Sequence, residues 1–341
     1  MLTKSKNIKE RGTGWKEAPL FGSYEAEEKA ITKWCHMTQE TQEAAAKKQV
    51  LPIKRAFHAK GSGAKARFCI LPNIPHDLQI GFFRPDARYD AHVRFSSVQS
   101  LFQADSKKDQ RAMAIKVYTG ESHKLLTGEE GDAQDFVMCD TPVSFARDAI
   151  DFMATVTLLL NSWTLLPKLF MRLHFRALVV LYRLFVDFFI RTPDNRSSYA
   201  AQNYWSRLPF KFGDLAVCFI VRPAGDVKKR VSSSGRNYMK EDLGQRLKNG
   251  DITFDLYIAR FINEKNTPIE NGTKEWKQWD EKPIARIIIP KQNIDEDSLQ
   301  EEIERMEFSP WNTTEDFRPL GSLNRAKKRV YHASQTMRRS N

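Results

Sequence analysis

Hydrophobic and polar residues alternate in short runs, separated by Pro, Gly and Asp clusters; between these runs the apolar positions shift to helical spacing. The alternation predicts strands near 54–58, 66–71, 91–97, 112–118 and 134–139, and again at Leu215–Val221, Ile252–Phe261 and Ile284–Ile289. Phe254-Asp-Leu-Tyr-Ile-Ala alternates cleanly, whereas Ile287-Ile288-Ile289 is apolar on both faces and is expected to be buried. About eight strands are enough to close a barrel. Helices are predicted from Tyr24 to about Gln49, stopped by Pro52, then through an apolar region at 149–191, from Asp295 to Met306 and from about Leu323 to Arg339. Residues 1–22 are polar and expected to be loosely held. No repeat and no low-complexity linker divides the chain. The expected architecture is α+β: an antiparallel eight-stranded β-barrel with helices packed outside and one helix closing it. A polar arm and helix over 1–49 precede a single domain over 50–341.

Composition narrows the classes. At 341 residues, 41% hydrophobic and 28% charged, the chain is long enough for a substantial core and is not a disordered polymer. A net charge of +12 suits an anionic partner. The basic residues are dispersed and no recognition motif accompanies them, which argues against nucleic acid. Cys35, Cys69, Cys139 and Cys218 lie far apart without a Cys-x-x-Cys pair, so neither a zinc site nor a disulfide framework is indicated. The start lacks the apolar stretch of a secretory signal, and a cytoplasmic location is expected. Between Asp151 and Lys168 lie 16 uncharged residues, fewer than a spanning helix needs. After them Lys168, Arg172, Arg176, Arg183 and Asp187 fall on one helical stripe opposite a broad apolar face. Two readings stay open: peripheral membrane contact through 152–191, or packing of this face on the barrel or on another subunit of a homo-oligomer.

One stretch carries candidate chemistry. In Lys54-Arg-Ala-Phe-His58-Ala-Lys-Gly61-Ser-Gly63, a histidine ends a short extended run just before a glycine-broken turn. Alternation places Arg55 across the strand from His58, and the glycines let the backbone pass close to something bulky.

Set in order with other segments, this stretch resembles the distal-histidine strand of the catalase superfamily. Val93-Arg-Phe-Ser-Ser-Val98 looks like that family's next barrel strand, and Arg111-Ala-Met-Ala-Ile-Lys-Val-Tyr118 like the one after. Asp135-Phe-Val-Met-Cys-Asp-Thr-Pro-Val-Ser-Phe-Ala-Arg-Asp148 is similar to the segment that carries the distal asparagine. Phe308-Ser-Pro-Trp-Asn and Arg318-Pro-Leu-Gly-Ser-Leu-Asn-Arg-Ala-Lys-Lys-Arg-Val-Tyr331 resemble the small catalase-related haem proteins rather than full-length catalases. The resemblance implies a catalase-like barrel enclosing haem, with a C-terminal helix carrying the proximal tyrosine.

It also implies roles, residue by residue. His58 becomes the distal acid–base and Ser96 the hydrogen-bond partner that fixes its tautomer. Val98 narrows the channel above the iron, and Phe152 packs on the haem edge. Arg55, Arg94 and Arg338 hold the propionates, for which a guanidinium fork is suited. Tyr331 becomes the iron ligand; since a free phenol titrates near ~10, it needs a neighbouring cation to remain phenolate. The chain departs from the family pattern at three places. Lys327 stands where arginine is usual, four residues before the ligand. Cys139-Asp140 replaces an Asn-Asn pair, with Asp140 carried here as a catalytic-side residue and either side chain able to face the peroxide. Ser144 replaces a phenylalanine.

The function implied is haem-dependent cleavage of the peroxide O–O bond, with hydrogen peroxide or an organic hydroperoxide as substrate, as in a catalase-related peroxidase. Rearrangement of fatty-acid hydroperoxides, as in the allene oxide synthase branch, is one alternative. A non-catalytic haem- or membrane-binding protein is another.

Overall fold

The computed structural model describes residues 12–33, 35–36, 58, 60–98, 103–121, 125, 132–161, 175–192, 197–231, 235–280 and 282–339. Its strands are β1 (Gly61–Ile70), β2 (Arg88–Ser97), β3 (Arg111–Tyr118), β4 (Ala133–Cys139), β5 (Tyr204–Trp205), β6 (Phe210–Phe212), β7 (Leu215–Pro223), β8 (Ile252–Arg260) and β9 (Ala285–Ile289). They form one antiparallel sheet in the order β5-β4-β3-β2-β1-β9-β8-β7-β6. Because β5 pairs with β7 as well as β4, eight of these strands close into a barrel, and β6 is attached as a hairpin to β7.

Strand alternation sorts the side chains. Ala64, Ala66, Phe68 and Ile70 of β1 point inward, as do Val93 and Phe95 of β2, Met113 and Ile115 of β3, and Phe136 and Met138 of β4. Phenylalanines fill the interior. Phe68 stacks on Phe136 with ring centroids 5.6 Å apart, and Phe83 and Phe212 meet at 4.9 Å. Burial of each such ring stabilises the fold by about 1.5–3 kcal/mol relative to exposure.

The helices lie outside the barrel. A first helix runs over residues 24–33 (α1). Then come α2 (Ala149–Asn161), α3 (Phe175–Phe185) with a π-helical continuation (Val186–Arg191), α4 (Tyr238–Asn249), α5 (Asp297–Arg305) and α6 (Ser322–Arg339). The N-terminus of α2 is capped by Asp148, whose Oδ1 accepts from the amides of Ile150 at 3.0 Å and Asp151 at 3.2 Å. Helix α6 is fixed at its start by Gly321. A Cβ there would lie 2.6 Å from the Ile269 carbonyl, and φ is +87°. Arg325 then ties the helix to Glu17 and Glu27 of the N-terminal segment.

Most predicted strands appear where expected, with three differences. Residues 54–57 lie outside the described residues, and His58 itself is left-handed (φ +62°) rather than extended. The eighth barrel strand is instead the two-residue β5, and β6 and α4 were not expected. Of the helix expected from Tyr24 to Gln49, the part beyond residue 36 lies outside the described residues. The apolar region also turns the other way. Lys168 and Arg172 lie outside the described residues, but Arg176 bonds Asp148 at 2.5 Å and Asp151 at 2.6 Å, and Arg183 bonds Asp151 at 3.2 Å. Asp187 accepts from Gln110 at 2.6 Å. At the described positions the charged stripe therefore faces the protein, and Leu178, Tyr182, Phe185 and Phe189 are exposed. Its described cations pair with Asp148 and Asp151 at the start of α2. No helix among the described residues is long and apolar enough to cross a membrane.

Candidate functional site

The polar face of the barrel is its outside, along β1–β4. Register places Gly61 opposite Ser96, Ser96 opposite Ala112, Ala112 opposite Cys139 and Cys139 opposite Trp205. Residues directly opposite on neighbouring strands share a face, so Ser96, Ala112 and Cys139 form one row of small side chains. The next outward row is Arg94, Ala114 and Val137.

His58 sits at the end of this face. Its Nδ1 lies 3.1 Å from Ser96 Oγ, and its amide donates to the Val98 carbonyl at 3.1 Å. Arg94 donates from Nη2 to the His58 carbonyl at 3.0 Å, and from Nε and Nη2 to Glu304 Oε1 at 2.9 and 2.7 Å. These bonds hold the histidine in a backbone conformation that non-glycine residues seldom adopt. The two glycines have tasks other than the one expected of them. A Cβ on Gly61 would lie 2.5 Å from the Arg94 guanidinium carbon, and one on Gly63 would lie 2.5 Å from Ile303 of α5. They admit an arginine and a helix.

Opposite Cys139 lies α6. Apolar Leu323, Ala326 and Val330 seat this helix against α2 and the 208 loop, which turns Lys327 and Tyr331, one helical turn apart, toward the sheet. Phe152 of α2 joins the same packing and stacks with Phe145 at 6.3 Å. Burial raises the Tyr331 hydroxyl well above the ordinary phenol value; Cys139 adds to this and Arg207 opposes it. Burial pulls Lys327 down to about 8, against the effect of Cys139. The Cys139 thiol is likewise raised by burial. Cys139, Lys327 and Tyr331 are each partly buried and lie near enough that the charge of Cys139 is felt at both others.

Asp140 follows the last residue of β4, its Oδ1 accepts no hydrogen bond among the described residues, and its charge is felt at Cys139 and at Tyr204 of the barrel interior. Burial pushes its carboxyl up to about 7, with Arg207 and Arg111 opposing. Of the pair, Cys139 is the one whose charge is felt at Lys327 and Tyr331. Arg111 is buried and donates to Ser97 Oγ at 2.6 Å. Ser144 is buried in the 272 loop contact, its amide bonded to the Gly272 carbonyl at 2.8 Å. Arg55 and the side chain of Arg338 lie outside the described residues. Arg94 is the described member of the arginine trio, and it is paired with Glu304. Arg207, at the β5–β6 corner, is the residue that sequence reasoning passed over: no motif marks it, and only the folded chain brings it to Cys139, Lys327 and Tyr331.

A closed antiparallel barrel with helices outside it, one of them bearing Tyr331, is a catalase-like fold. The sequence matches the catalase family over residues 25–161. It is 25% identical to the catalase of Mus musculus over 300 residues, covering 78% of this chain and 52% of that protein. It is 34% identical over 101 residues to the bromoperoxidase-catalase of Streptomyces venezuelae, which covers 29% of this chain and 19% of the relative. Among solved structures, a fungal catalase superposes with a TM-score of 0.62 at 22% identity, over 86% of this chain and 59% of that one. Catalase A from Saccharomyces cerevisiae gives 0.61 at 20% identity, over 86% and 63%. The chain is thus similar to catalases in sequence over most of its length and shares their fold. It spans about half the length of the full catalases it matches, 52% and 57% for the mouse protein and for catalase A of Staphylococcus xylosus.

Proposed function

We propose that this protein binds haem between the outer face of β1–β4 and helix α6 and uses it to cleave the O–O bond of hydrogen peroxide or an organic hydroperoxide. The observation that carries the reading is His58, strained into a left-handed conformation and bonded to Ser96, on the same sheet face as Cys139, with Tyr331 beyond it. The donor set suits the group: a phenol that can become an anionic axial ligand on one side, an imidazole on the other. Tyr331 would hold the iron, Phe152 and Val98 would border the ring, and Lys327 would lie one turn below. Arg94 would meet a propionate only through Nη1, since Nε and Nη2 already serve Glu304 and His58.

Haem, when bound, supplies the redox chemistry of the cleavage. The protein supplies the proton transfers. With Nδ1–H donating to Ser96 Oγ, the imidazole has its basic lone pair on Nε2. Nε2 takes the proton from one peroxide oxygen and returns it to the other, so that the departing oxygen leaves as water or an alcohol. Cys139 gives this step less help than an amide would, because a neutral thiol is a weak donor. A second reading is a bound fatty-acid hydroperoxide rearranged after cleavage, in the manner of an allene oxide synthase.

Protein purified from cells with ample haem supply should carry ferric haem with a phenolate-ligated spectrum; haem-free protein would sink the proposal. Stopped-flow mixing with hydrogen peroxide and with a fatty-acid hydroperoxide then separates oxygen release, reductant turnover and lipid rearrangement. In the active assay, His58→Ala should keep its haem and lose roughly 10²–10⁴-fold in rate.

A further inference from the structure

Three non-glycine residues among those described have φ in the left-handed region: His58, Asp86 and Arg207. Asp86 lies in the surface turn before β2, where such a conformation is ordinary for aspartate. The other two are at the site. Backbone strain of this kind costs on the order of 1–3 kcal/mol and persists where surrounding structure enforces it.

What holds Arg207 is visible. Its Nε donates to the Thr141 carbonyl at 3.1 Å, and its Nη2 donates to Gln110 Oε1 at 2.7 Å and to Thr141 Oγ1. Thr141 and Gln110 are buried. Thr141 lies two residues after Cys139. Gln110 reaches the other end of the site, since its carbonyl accepts from the Val98 amide at 3.0 Å and the Val98 carbonyl accepts from His58. One guanidinium therefore joins the corner that carries Cys139 to the loop that holds Val98 and His58. Nη1 has no hydrogen-bond partner among the described residues, and the charge is felt at Cys139, Lys327 and Tyr331.

We propose that Arg207 is a positioning residue of the haem site: a fixed cation that locks the Cys139–Thr141 corner to the Gln110 loop and fronts the Lys327–Tyr331 face of α6. The proposal rests on the haem-binding reading above. Arginine is needed rather than lysine, because three bonds to two segments require the planar fork, and a single ammonium cannot span both with the same geometry.

The test uses the full-length ferric protein with three substitutions, Arg207→Met, Arg207→Lys and Thr141→Val. Haem loss to apomyoglobin, the phenolate-to-iron charge-transfer band and cyanide affinity are measured, with circular dichroism and melting temperature as folding controls. Arg207→Met should lose haem at least about tenfold faster and shift the charge-transfer band, while Arg207→Lys restores the band in part through its charge but not the haem retention. Thr141→Val, which keeps the charge and removes one anchor, should fall between Arg207→Lys and wild type. A folded Arg207→Met protein with wild-type band and haem retention overturns the proposal. If Arg207→Met does not fold, wild-type behaviour of both Arg207→Lys and Thr141→Val overturns it. Wild-type protein that takes up no haem removes the haem-binding reading itself, a result distinct from either.

Discussion

On the inner face of β1–β4, Phe68, Phe95, Met113 and Phe136 meet other apolar side chains, whereas on the outer face of the same strands Arg94, Ser96, Lys116 and Asp135 are buried among polar partners. The inner face is held by area alone, which is non-directional and tolerates sliding. The outer face is held by directed bonds. Lys116 reaches Asp135 across the β3–β4 register at 3.0 Å, and Asp135 also accepts the Ser309 amide at 2.9 Å. That pair fastens the chain segment before α6 to the barrel. Buried ion pairs of this sort add little net stability, because desolvation offsets attraction, but removing one partner strands the other. The difference between the faces is one between what makes the barrel stable and what makes its geometry unique.

Substitutions can break this contrast. Phe68→Ala should cost about 3–5 kcal/mol in denaturant unfolding, the cavity adding to the lost transfer energy. A loss under about 1 kcal/mol would mean the interior is loosely packed. Asp135→Leu should cost about 3 kcal/mol by leaving Lys116 buried and unpaired, whereas Asp135→Leu with Lys116→Met should recover most of it. Failure to recover would show that the pair itself supplies stability. Gly63→Ala forces Cβ against Cγ2 and Cδ1 of Ile303 and should cost about 1–3 kcal/mol, but less in an Ile303→Ala background, which removes both atoms. Equal loss in that background would place the strain elsewhere.

The last effect is a slope. Burial raises the Asp140 carboxyl to about 7, above its unfolded value near ~3.9. Between these values the native protein holds a proton that the unfolded chain has released. The contribution is therefore fully present below about pH 4 and is lost as pH rises through about 7. Asp140→Asn should flatten the fall in unfolding midpoint between pH 5 and pH 8, and an unchanged slope would assign it to other groups.

Much of the barrel was legible because alternation is a local signal: β2, β3, β4, β7 and β8 each carry an apolar face long enough to see. Strand β5 was not, since Tyr204-Trp205 has no period of its own and is a strand only because β4 and β7 flank it. Helix α4 left a signal that went unread, with Leu243 and Leu247 one turn apart behind Tyr238 and Met239. The contact between His58 and Ser96 followed from motif order. The left-handed backbone of His58 could not, being enforced by Arg94 and Val98 from another strand and its end. Helical spacing put Arg176 and Arg183 on one stripe, but the direction of that stripe is decided by Asp148 and Asp151, which are distant in sequence. That Cys139 falls in one row with Ser96 and Ala112 depends on the phase of β4, which its pairing with β3 fixes.

The brevity of β5 has a kinetic meaning. Cys139 lies in the outer row with Ser96 and is the register partner through which β4 meets Trp205, so one pairing joins β4 to β5 and sets the outer face there. A non-local pairing with so few bonds to gain forms after the local hairpins. A ligand seated against Cys139 would therefore wait for that pairing, and its uptake during refolding would report a step later than the hairpins. The same two residues should be among the earliest barrel amides to exchange with solvent deuterium, so opening and ligand escape would share one rate.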